Sequence, residues 1–187
     1  MTHMDIQRLN SFESTLQDGL LKLCRSAGFC GDTLLSSPDL EGRWAAFAKD
    51  YIADAVENFN SYPEAAIAWA AFLGMGVAHD WDTDWDNCKD KPYKSYYGPR
   101  GWDDMDEYIL GPYLHLQPVF SKKLSDTMDS CALAAMGLMR HEGIETWSKD
   151  GFYALARIYG TMFRIGACCE LHRLGYKMSP VPEIISN

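Results

Sequence analysis

Apolar positions recur three and four residues apart along almost the whole chain, and no stretch alternates as a strand would. Ile6, Leu9, Phe12, Leu16, Leu20 and Leu23 predict a first helix from about Asp5 to Ala27, ended by Gly28 and the Gly31-Asp32 pair. Ser36-Ser37-Pro38-Asp39 is a start signal for a second helix over about Leu40 to Asn58. Its inward stripe is Trp44, Phe47, Ala48, Tyr51, Ile52, Ala55 and Val56, with Glu41, Lys49, Asp50 and Asp54 on the wet side. Ser61-Tyr62-Pro63-Glu64 opens a third helix, with Ser61 as the expected N-cap. This helix is apolar nearly all round and is therefore expected at the centre of the fold. Ala66, Ala70, Gly74 and Ala78 give it a small-residue face that admits a second helix backbone, or a second copy of the chain in a homodimer.

Pro92, Gly98 and Pro99 break any regular element between Asn87 and Arg100. A short helix follows from Asp103 to Leu110, with Asp106 completing a capping box and Gly111-Pro112 stopping it. A further helix is expected over about Val119 to His141, with Leu124, Met128, Cys131, Ala135, Leu138 and Met139 inward. The last spans about Lys149 to Leu174 on a stripe of Phe152, Leu155, Tyr159, Met162, Phe163, Gly166 and Cys169, with Gly175 as its C′ residue. Pro180 and Pro182 make the tail from about 179 to 187 extended. The whole chain, 1–187, thus reads as one all-α domain: a helical bundle or orthogonal array of five to six helices around a central apolar one, with an irregular aromatic-acidic loop at about 80–102.

That loop begins with His79-Asp80-Trp81-Asp82-Thr83-Asp84-Trp85-Asp86, four carboxylates and two tryptophans in eight residues. Like charges at helical spacing destabilise a helix, and a helix C-terminus disfavours acids. The segment therefore calls for a cation, a basic partner or water, and Lys89, Lys91, Lys94 and Arg100 are the residues placed to fold back on it. With no such partner it is a solvated acidic end, its two tryptophans folded under the loop. Asp-x-Asp-x-Asp is also the start of a calcium loop, because hard cations take oxygen ligands. The register departs from an EF-hand: counted from Asp80, Trp85 stands at the glycine position and Lys91 at the bidentate glutamate position. Counted from Asp82, Tyr93 replaces that glutamate. What remains is an irregular site for a divalent cation, the one cofactor the sequence suggests.

Composition narrows the classes. Seventeen basic against 26 acidic residues give a net charge of −9, which excludes nucleic acid and anionic membrane surfaces as partners. The most apolar stretch, Ala65 to Ala78, is shorter than the ~20 residues of a membrane span. The six cysteines form no Cys-x-x-Cys pair and three lie within apolar helical runs, so they read as reduced thiols in a cytoplasmic protein. The N-terminal residues show no signal-peptide pattern. His115, His141 and His172 fall near helix ends or in loops. No Glu-x-x-His, Gly-x-Ser-x-Gly, P-loop or Gly-x-Gly-x-x-Gly occurs. Arg157 and Arg164 sit in the last helix and face either Asp54, Glu57 and the acidic segment, or solvent.

The His79-Asp80 pair, closing an apolar helix in an all-helical chain, resembles the His-Asp pair of metal-dependent phosphohydrolases of the HD type. The resemblance implies a metal-dependent hydrolase centred on His79 and Asp80, with Asp82, Asp84 and Asp86 beside them. That family also uses an earlier histidine, and His3 is the only one upstream here. The run from Tyr62-Pro63-Glu64 through Gly74-Met75-Gly76-Val77-Ala78 to Trp81-Asp82-x-Asp84-Trp85 resembles bacterial proteins of unknown function with a Trp-Asp-x-Asp-Trp signature. That likeness implies a helical fold and a bacterial, cytoplasmic setting, and transfers no activity.

The leading expectation is a non-enzymatic binding or scaffold protein. Its surface would be Trp81, Asp82, Asp84, Trp85, Tyr96, Tyr97 and Trp102, where rings and carboxylates together suit sugars, basic peptides or a partner protein. Against it stands a plainer reading in which the same rings cover the end of the bundle.

Overall fold

A computed structural model describes residues 5–179, all of them helical, turn or loop apart from a single bridge between Gly98 and Gly101. Six α-helices follow one another: α1 (Ile6–Ser26), α2 (Pro38–Phe59), α3 (Pro63–Cys88), the one-turn α4 (Met105–Tyr108), α5 (Pro118–His141) and α6 (Lys149–Arg173). Short 3₁₀ turns at Tyr93–Tyr96 and Trp102–Asp104 precede α4, and a π turn at Ile109–Tyr113 follows it. No strand occurs among the described residues, so the fold is the all-α array that the 3.6-residue periodicity predicts. His3 and the tail beyond Ser179 lie outside the described residues.

The centre of the fold is the contact between α3 and α6, with α2 and α5 packed on other sides of α3 and with α1 laid across α5 and α6. From Ala66 to Ala78 only Trp69 is not fully buried. The two backbones meet at glycines. A Cβ on Gly74 would stand 2.0 Å from the Phe163 carbonyl oxygen, and one on Gly166 would stand 1.8 Å from that of Ala71. The small-residue face of α3 is thus covered by α6 of the same chain and is not open to a second copy. Gly76 makes room for a side chain instead, since a Cβ there would lie 3.1 Å from the Tyr96 ring.

Local signals explain the helix ends. Asp5 accepts the Arg8 amide at 2.8 Å, Ser37 that of Leu40 at 3.3 Å and Ser148 that of Gly151 at 2.9 Å. Gly175, at φ +91°, closes α6. Some expectations are corrected. Tyr62, with no capping side-chain bond, stands at the N-cap of α3 in place of Ser61. Asp103 does not cap a helix, and Pro112 sits inside the π turn, where the widened ring leaves its missing N–H harmless. Ile6, Leu23 and Phe152 are exposed, because the chain needs fewer inward positions at helix ends than the repeat supplies; Cys24 takes the place of Leu23. Arg157 pairs with Glu13, and Arg164 with Glu41 at 2.9 Å and Glu13 at 3.0 Å, tying α6 to α1 and α2. Neither arginine reaches the acidic segment.

All six cysteines are free thiols, and all but Cys88 are buried. Cys24 and Cys131 bring their sulfurs to 3.8 Å between α1 and α5, while burial pushes the Cys168 thiol up to about 11. They behave as small apolar residues.

The glycine contacts give a signed prediction. Gly74→Ala and Gly166→Ala each lower stability, by about 3 kcal/mol or more, because the added methyl meets backbone that cannot move aside. Gly19→Ala and Gly42→Ala, on open helix faces, raise it by ~0.5–1 kcal/mol. Urea unfolding of the four variants checks both signs.

Candidate functional site

Helix α3 extends past its apolar run to Cys88 with a break at Asp84, whose backbone (φ −160°, ψ 67°) leaves the helix. The break answers the like-charge and dipole conflict written into the segment. The carboxylates differ in their surroundings. Asp80 lies before it on the buried side and is 4% exposed; Asp82, Asp84 and Asp86 are exposed.

Asp80 is the hub of a buried polar cluster. Its Oδ2 accepts from Lys91 Nζ at 3.0 Å and from the Tyr96 hydroxyl at 2.6 Å, and its Oδ1 accepts from the Tyr113 hydroxyl. Lys91 also donates to Tyr113, and its ammonium lies 4.9 Å from the Tyr96 ring centre and 4.6 Å from that of Tyr113. Arg43 of α2 binds the Lys91 carbonyl, which fixes the returning loop. Two of the expected cations, Lys91 and Lys89, therefore do pair with the acidic segment. Hydrogen bonds to a charged group contribute ~1.5–3 kcal/mol each, so three donors offset much of the cost of burying Asp80. Burial raises the Tyr96 and Tyr113 hydroxyls well above the ordinary tyrosine value, and the Asp80 carboxylate adds to it.

A second carboxylate is held in the same way. Asp54 of α2, expected on the wet side, accepts from the Tyr93 hydroxyl at 2.8 Å and from Tyr97. Both hydroxyls are raised by burial first and by their bond to Asp54 next. The loop thus closes on the bundle through four tyrosines and two carboxylates.

The expected site residues separate into several environments. Tyr96 is buried in the Asp80 cluster and Tyr97 half-buried against Asp54. Trp81 donates to Asp39 at 3.1 Å and packs on Tyr176, whose hydroxyl donates to Asp82 at 2.7 Å. Asp84 accepts from Asn87 at 2.8 Å, Asp86 faces Lys89 at 3.9 Å, and Trp85 is half-buried against the core. Trp102 is buried elsewhere, against Trp69. These residues form no single surface. Nor do His79, Asp80, Asp82, Asp84 and Asp86 converge. His79 points to α6, its Nδ1 3.7 Å from Glu170, which Arg173 holds with two bonds of 2.6 and 2.8 Å. Among the described residues, no group of three or more His, Cys, Asp and Glu is arranged to hold a metal ion.

What the structure adds is a cleft at the corner where the loop rejoins the bundle. The Gly98–Gly101 bridge forms a tight turn that needs Gly101 at φ +101°. Arg100 is clamped there by Asp104 at 2.6 Å and Glu107 at 3.1 Å. The turn delivers Trp102 onto Trp69 of α3, the ring centres 6.1 Å apart and 29° from parallel. Tyr62, Ala65, Trp69, Trp102 and Asp103 enclose about 270 Å³, and the wall is mostly apolar. The indole N–H groups of both tryptophans are buried without a hydrogen-bond partner, which is uncommon in a settled core. A larger, shallower depression of about 620 Å³ lies by Phe59, Arg140 and Trp147, and none of the buried unpartnered side-chain atoms belongs to the residues lining it. Sequence reasoning found Trp102 but missed Tyr62, Trp69 and Asp103. Tyr62 and Trp69 flank the start of an apolar helix, and only the tertiary fold sets them opposite Trp102.

No protein-family model, no curated protein and no solved structure matches the chain. No helix among the described residues is long and apolar enough to cross a membrane.

Two outcomes follow from the polar clusters. Asp80→Asn lowers stability by about 3 kcal/mol, since it leaves the Lys91 ammonium largely buried without its counter-charge. Lys91→Met costs less, and the double variant costs less than the sum of the two, which a double-mutant cycle in urea reads directly. The raised tyrosines set the alkaline limit. Their hydroxyls ionise in the unfolded chain near pH 10 but resist ionisation in the fold. Stability is therefore fully present below pH 10 and falls as pH climbs beyond it. Tyrosinate absorbance and loss of helical circular dichroism should rise and fall together; free titration of these tyrosines in a folded protein would contradict the assignment.

Proposed function

We propose that the protein is a non-enzymatic binding protein whose ligand site is the cleft between Tyr62, Trp69, Trp102 and Asp103. The observation that carries the reading is the stacked Trp69–Trp102 pair lining an open cleft with a carboxylate beside it. Aromatic area left facing a concave site, with one charged group at hand, is the usual composition of a small-ligand pocket. Its volume lies just under the ~300–1,000 Å³ that drug-sized ligands fill, so the fit is to a small molecule or a single side chain of a partner. The acidic Trp segment has a structural part in this reading: Asp80 anchors the loop that brings Trp102 into place. A cytoplasmic setting accords with six unpaired thiols.

A fragment library of acids, bases, sugars and neutral aromatics, screened by NMR on the tryptophan indole N–H resonances, tests the proposal. Binders are expected to shift Trp69 and Trp102 before the other indoles, and to lose at least tenfold in affinity in Tyr62→Ala, a variant at a position 60% exposed. If every binder maps elsewhere, or none binds, the cleft is not the site.

A further inference from the structure

We infer that the group this cleft takes is an organic cation, an alkylated ammonium held against the rings of Trp69, Trp102 and Tyr62 with Asp103 as its counter-charge. The inference rests on the binding reading above and names its ligand class. Three observations favour it. First, three of the residues lining the cleft are aromatic, and an ammonium within ~6 Å of such rings is attracted by their quadrupoles, most strongly by tryptophan. Secondly, the two indole N–H groups are shut away from solvent, so the pair offers ring carbon and not hydrogen-bond donors to whatever enters. A sugar, which needs donors and acceptors around its hydroxyls, is poorly served by such a wall.

Thirdly, the one charged residue that lines the cleft is a carboxylate, and further acids stand near it in the chain. Asp103 lines the cleft, Glu64 lies beside Ala65 and Tyr62 in the chain, and Asp106 follows on the next turn. None of the three has an ion-pair partner among the described residues. Arg100, the cation nearest in sequence, is already engaged by Asp104 and Glu107. Within a chain of net charge −9, this corner draws cations in and repels acids.

An alkylated ammonium reaches such a site as a free quaternary amine or as a methylated lysine side chain on a peptide. Fluorescence and indole N–H NMR titrations compare choline, a short peptide carrying trimethyllysine, and 3,3-dimethylbutanol, the uncharged isostere of choline. Choline and the peptide should shift Trp69 and Trp102 saturably and bind about tenfold tighter than the isostere, the size expected of a cation–π contribution. Asp103→Asn, at an exposed position, should weaken both cations severalfold and leave the isostere unchanged. Tighter binding of the peptide assigns the cation to a protein partner; equal binding assigns it to a small molecule. Equal affinity for choline and its isostere would overturn the charge assignment. If acids or sugars from the fragment screen occupy the cleft and no ammonium does, the ligand class is wrong and the binding reading stands. If nothing occupies it, both fall.

Discussion

The rest of the structure depends on how closely α3 and α6 approach. Their backbones touch at Gly74 and Gly166, where no room is left for a methyl group. Glycine is a poor helix former by ~1 kcal/mol relative to alanine, so its presence at both contact points marks packing as the stronger demand. The approach turns α3 into a strut surrounded by α2, α5 and α6, and it leaves no polar position on the helix between Ala66 and Ala78. Everything the other elements do is arranged around that strut.

One consequence is the fate of the acidic segment. A helix gripped over three turns continues past its apolar run even where its own sequence resists. It carries Asp80 into a nearly closed position before the backbone breaks at Asp84. A buried carboxylate needs donors, and those come from Lys91, Tyr96 and Tyr113 on the two limbs of the following loop. The loop is irregular in backbone yet fixed in place, because its two acidic anchors, Asp80 and Asp54, sit on different helices.

This explains what the sequence makes legible and what it does not. The helices are legible because burial of a stripe is a local, periodic property: the α2, α5 and α6 boundaries fall within two residues of those the apolar spacing predicts. The centrality of α3 is legible because a helix apolar on all sides has no solvent face to offer. The hub role of Asp80 is not. Nothing within the run His79 to Asp86 distinguishes Asp80 from Asp82 or Asp84; the difference is the helix phase relative to α6 and to a loop eleven to thirty-three residues away. Asp54 misleads for the same reason, since a carboxylate in a helix reads as wet until two tyrosines from outside that helix reach it. Arg164 likewise finds Glu13, 151 residues earlier, and not Asp54, Glu57 or the acidic segment.

The division of labour among the carboxylates is what gives the corner near Trp102 its character. Asp80 and Asp54 are turned inward and answered by hydroxyls and an ammonium, and Asp104 is answered by Arg100. With Lys91 and Arg100 spent on those structural tasks, little positive charge is left for the residues next to them. Asp103, next to Asp104, therefore lines the cleft beside the two tryptophans with no ion-pair partner among the described residues. A fold that used its cations to secure the loop has, by the same arrangement, left an aromatic cleft facing an unmet negative field. The field and the rings both favour a positively charged guest over a neutral or acidic one.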